Sequence, residues 1–119
     1  MKKIILIIIL FFSLSTYSQK VTVEYRSMSI QTGKNLGAME HLVNTVTFVG
    51  KEEIIWTDAL GLTRPFKIVS INLLTMPNKE KYLQTTATHK GKATVFQQFK
   101  NGDLRIVIPD LNKAIYLKP

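Results

Sequence analysis

Cysteine is missing altogether from the 119 residues of this chain. Disulfide staples, thiolate metal sites and cysteine nucleophiles are therefore excluded, and stability has to come from an apolar core. Histidine is nearly as scarce. His41 and His89 are the only two, and neither lies at metal-ligand spacing from another histidine or a carboxylate pair. His89 opens a turn beside Lys90, and His41 follows Glu40; an ordinary surface role is expected for both, with His41 the better placed as a base. Acidic residues number 8 against 16 basic ones, and nothing in their scatter selects a pair for glycoside hydrolysis. There is no Gly-x-Ser-x-Gly elbow. Thr32-Gly33-Lys34-Asn35 lacks the upstream glycine and the following Ser or Thr of a phosphate loop. These gaps predict a chain that is not an enzyme and uses no cofactor or metal.

Long apolar runs are also rare. The single one, Ile4–Phe12, stands between basic Met1-Lys2-Lys3 and the small, hydroxylic Ser13–Ser18. That order is the pattern of a secretory signal peptide, and the run is well short of the roughly 20 residues that span a bilayer. Thr16 and Ser18 suit the small-residue positions before a cut. Residues 1–18 are therefore read as the signal and 19–119 as one domain, periplasmic or extracellular, with no stable membrane anchor after cleavage. No cysteine follows the run to carry a lipid. Losing Lys2 and Lys3 lowers the formal charge of +8 by two, so the exported chain stays basic. Its lysines divide between loop ends. Lys79 and Lys81 come near Lys100 if Lys81–Thr88 pairs with Ala93–Lys100, while Lys90 and Lys92 lie at the other end. Lys79, Lys81 and Lys100 form a candidate partner site for a protein, glycan or lipid of the cell envelope. Nucleic acid is not expected, because the glycine-flanked aromatics of RNA-binding sheets are absent.

What the chain does have is alternation. Val21, Val23 and Tyr25 alternate with polar residues, and Met28 and Ile30 then fall on the opposite parity, which predicts a break or bulge near Ser27. Gln31–Gly37 reads as loop, and Leu36, Met39 and Val43 are spaced for a turn or two of helix. Asn44–Val49 and Glu53–Asp58 read as a hairpin around Gly50-Lys51, with Val46, Phe48, Ile54 and Trp56 facing inward. Phe66–Leu74 is either covered on both faces or bulged near Ile68. Threonine-rich Lys81–Thr88 suits an edge strand or one lining something polar, and Ala114–Lys118 closes the chain. The sum is about eight short antiparallel strands in a meander, forming a small all-β barrel or sandwich.

The central expectation concerns Ala93–Pro109. Asn101-Gly102 is the sequence of a two-residue type I′ turn. It would pair Phe99 with Leu104, Gln97 with Ile106 and Val95 with Ile108, all on one face. Phe96 and Val107 would then face each other on the outer surface, either covered by the domain or open as an apolar contact site. Trp56 is expected in the core, its indole N–H paired at an edge.

V-T-F-V-G-K-E-E-I-I-W-T-D, F-K-I-V-S-I, the final A-I-Y-L-K and the signal ending Ser18-Gln19 together resemble a loose group of small exported all-β proteins of Gram-negative bacteria. The resemblance covers the whole exported chain and implies a shallow lipocalin-like or calycin-like barrel. It carries no known catalytic residues, and Trp56 follows Ile54-Ile55 rather than the Gly-x of true lipocalins. Because many inward candidates are bulky, a filled core is expected. The leading reading is an exported binding module, with Trp56, Phe96, Val107 and the three lysines as candidate contacts. A carrier of a small apolar ligand comes second and an enzyme a distant third.

Overall fold

The computed structural model describes Lys20–Pro119; the expected signal peptide lies outside the described residues. Ten strands run in the order β1 (Lys20–Tyr25), β2 (Ser27–Thr32), β3 (Asn35–Leu36), β4 (Asn44–Val49), β5 (Glu53–Thr57), β6 (Thr63–Thr75), β7 (Lys81–His89), β8 (Lys92–Phe99), β9 (Leu104–Ile108) and β10 (Lys113–Lys118). They form one antiparallel sheet, β1-β4-β5-β6-β7-β8-β9-β10-β2-β3, curled into a half-barrel. The all-β expectation holds.

The two flanks of this sheet are joined at Arg26. β1 pairs with β4, while β2, one residue later, pairs with β10 on the other flank. Arg26 N–H donates to the Lys118 carbonyl at 2.8 Å. The parity switch between Val21-Val23-Tyr25 and Met28-Ile30 is thus the break where one run of chain serves two flanks. β6 carries the expected bulge, its register to β7 shifting between Ile68 and Ser70. The extra residue, Val69, is exposed.

Several expectations are corrected. Leu36–Val43 forms no helix; after Gly37 the chain runs irregularly and Glu40 bridges Met28 of β2. Gly37 N–H bonds the Ile30 carbonyl, and a Cβ there would lie 3.0 Å from that oxygen, so this link is pressed flat onto β2. Gln31-Thr32 extends β2 instead of opening a loop, and β6 starts at Thr63 instead of Phe66. β7 is no edge: it lies between β6 and β8 and buries Leu83, Thr85 and Ala87.

The β8–β9 hairpin departs from expectation by one residue. Gln98, not Phe99, faces Leu104, and Phe96 faces Ile106. Gly102, at φ +106°, is the one loop residue with positive φ; its N–H bonds the Phe99 carbonyl, and Phe99 N–H bonds that of Asp103. That is the three-residue loop of a type I turn closed by a left-handed glycine. Asn101 serves it through its side chain instead, with Oδ1 accepting from Asp103 N–H at 3.0 Å. The slip turns Phe96 into the core, fully buried, and leaves Val107 on the outer face opposite Val95. The supposed Phe96–Val107 contact face therefore does not exist. Phe99 stacks on Tyr82 outside, ring centroids 5.5 Å apart. The type I′ turn of this region is Lys90-Gly91, at φ +53° and +80°.

Candidate functional site

Alternate turns gather at each end of the half-barrel, and the two ends differ. At one end, around the β4–β5, β6–β7 and β8–β9 turns, Phe48, Ile54, Leu83, Leu104 and Leu117 fill the interior with almost no exposure. At the other end, beneath the β5–β6, β7–β8 and β9–β10 turns, the interior opens into a cavity of about 640 Å³. Its deep wall is made by Trp56 of β5, Phe66 of β6, Thr94 of β8 and Ile115 of β10, all buried. Met28 and Ile30 of β2 also line it, because the parity switch at Arg26 turns them inward. Exposed Leu60 and Leu111 stand at its mouth on two of the turns.

The polar groups at the cavity are tied to the wall. The Trp56 indole N–H donates to Asn44 Oδ1 at 3.1 Å, and Asn44 is itself fully buried. The Asn44 amide in turn reaches Met28 Sδ and the Leu42 carbonyl, both at 3.5 Å. Arg64 lies over the Trp56 ring, 5.1 Å from its centroid, and its Nη1 pairs with Asp58 Oδ2 at 2.9 Å. Asp58 Oδ1 accepts the N–H groups of Leu60 and Leu62, fixing the β5–β6 turn. Burial alone would push the Asp58 carboxyl up. The backbone N–H groups of Leu62 and Leu60 and the Arg64 guanidinium outweigh it and hold the group below the usual carboxylate range.

His89 Nδ1–H donates to the Pro65 carbonyl at 2.7 Å, and its ring packs 5.3 Å from that of Phe66. Its place is in the cavity wall rather than in a free loop. Lys92, Lys113 and Glu40 complete the polar lining. Among the described residues, no group of three or more His, Asp or Glu side chains is placed to hold a metal.

Of the candidate contacts read from the sequence, Trp56 alone lies at this cavity. Lys79 and Lys100 sit in the β6–β7 and β8–β9 turns and Lys81 at the start of β7, all at the filled end. The structure places those three lysines at one end of the half-barrel, apart from the cavity. Sequence reasoning passed over Leu60, Arg64 and Leu111 as turn residues and Asp58 as a strand end among scattered acids. The one signal pointing to the cavity was the inward switch of Met28 and Ile30. Compared with known proteins, the chain matches no family model, no curated protein and no solved structure.

Proposed function

We propose that this chain is an exported carrier of a small, largely apolar ligand held in the cavity at the open end of the half-barrel. One observation carries the reading: about 640 Å³ of interior walled by Trp56, Phe66, Ile115 and Met28, where a filled core was expected. Ligand sites run from about 300 to 1,000 Å³, and are mostly apolar with a few placed polar groups. Exposed Glu40 and Lys92 are among the polar residues at the rim, so the ligand is an amphiphile seated tail first. Export rests on the N-terminal sequence.

Trp56 is the sole tryptophan and forms part of the wall, so it reports on occupancy directly. Titrating the Gln19–Pro119 chain with a long-chain fatty acid should give a saturable, one-to-one change in its fluorescence. Native mass spectrometry should find the same mass bound. A flat titration together with a ligand-free mass would remove the carrier reading.

A further inference from the structure

The large apolar side chains left exposed are not spread over the molecule. Among the described residues nine are exposed, and Val69 and Leu73 lie on β6. Of the other seven, Ile30, Leu60 and Leu111 line the cavity, Met39, Val43 and Leu62 lie within two residues of its lining in the chain, and Leu36 pairs with Gln31 on the outer face of β2. Leu60 is 86% exposed and Leu62 55%, more than ordinary scatter of single surface leucines would place at one end. The segments bearing the six at the mouth are separate in sequence: the end of β2, the Gly37–Val43 link, the β5–β6 turn and the turn before β10.

Four lysines surround the same end: Lys34 in the β2–β3 turn, Lys90 in the β7–β8 turn, Lys92 and Lys113. None of them is in an ion pair among the described residues. Of the nearby acids, Asp58 is engaged by Arg64, leaving Glu40 and Asp110. Apolar side chains ringed by unpaired lysines form the surface that sits at the headgroup boundary of an anionic bilayer. The lysines complement an anionic headgroup layer, and Ile30, Leu60 and Leu111 line the cavity as well as its mouth.

We propose that the cavity mouth docks on an anionic lipid bilayer, Met39, Leu60 and Leu62 entering the headgroup layer, so that ligand passes between membrane and cavity without crossing water. This rests on the carrier reading for its purpose, but its test is separate. Gln19–Pro119, which carries every described strand, is sedimented with vesicles of phosphatidylglycerol and phosphatidylethanolamine, and fatty-acid binding is measured in parallel without vesicles. Wild-type chain should sediment at low salt and be released as salt rises. Met39 and Leu62 do not line the cavity, so Met39→Ser/Leu62→Ser should weaken vesicle binding roughly tenfold and leave fatty-acid affinity intact. Lys34→Glu/Lys90→Glu should weaken it for anionic vesicles and not for phosphatidylcholine.

Wild-type chain that stays in the supernatant while binding fatty acid would overturn the docking and leave the carrier standing. Chain that sediments but takes up no fatty acid would uphold the docking and sink the carrier. A wild-type dimer that ignores vesicles, and that Met39→Ser/Leu62→Ser dissolves, would give the patch to a second copy and overturn the proposal.

Discussion

Asp58 does several jobs with one carboxylate. It holds the backbone of the turn bearing Leu60 and Leu62, and it anchors Arg64 across the Trp56 ring. Trp56 is held from the other side by Asn44, so the indole is fixed by a cation above and an amide at its edge. Such a chain depends on the charge of Asp58, whose pKa lies below the ordinary value of about 3.9. A depressed folded-state pKa contributes stability that is fully present above the unfolded value and is lost as pH falls through the folded one. Urea midpoints of wild type and Asp58→Asn should therefore differ at neutral pH and converge below pH about 4. A gap that stays constant down to acid pH would mean that the charge does not matter to the turn.

At the scale of elements, the hairpins show what local sequence can and cannot decide. The β4–β5 pairing was legible because Val46, Phe48, Ile54 and Trp56 alternate strictly around Gly50, and all four are buried. The β8–β9 register was not legible. A turn that needs positive φ at two residues and a turn that needs it at one share the dipeptide Asn-Gly, and Asn101 could serve either by conformation or by its side chain. Both faces of β8 also carry a phenylalanine, Phe96 and Phe99, so hydrophobicity alone does not choose between them. The choice falls to the interior, where Phe96 meets Phe66 edge to face with centroids 5.1 Å apart. Phe96→Ala should accordingly cost about 3–5 kcal/mol. Phe99→Ala removes a half-buried outer ring and should cost about 1 kcal/mol. Equal losses in urea denaturation would reinstate the register with Phe99 inside. The cavity was hidden for a related reason. Its walls come from β2, β5, β6, β8 and β10, and strand periodicity says which side chains turn inward without saying how far apart the facing walls stand.

For the whole molecule, the division into a filled end and an open end sets what a ligand can do to stability. The packed layer of Phe48, Leu83, Leu104 and Leu117 lies away from the cavity and supplies a core in ligand-free chain. On the carrier proposal, ligand would add stability by mass action, about 2.7 kcal/mol at a hundred times its dissociation constant. Filling the cavity covalently should separate these two contributions. Ile115 lies in the deep wall, 7% exposed, and Ile115→Trp directs a larger ring into open space instead of into packed neighbours. The cost to ligand-free chain should stay within about 1 kcal/mol, below the 1–3 kcal/mol typical of overpacking a closed core. The rise in melting temperature expected of wild type with a fatty acid should disappear. An Ile115→Trp chain that keeps the full rise would place the ligand elsewhere, and a large loss of stability without ligand would mean that this end is already closed by packing. Intact stability with no response to ligand would tie carriage to this end of the half-barrel, the end at which the exposed leucines and unpaired lysines also gather.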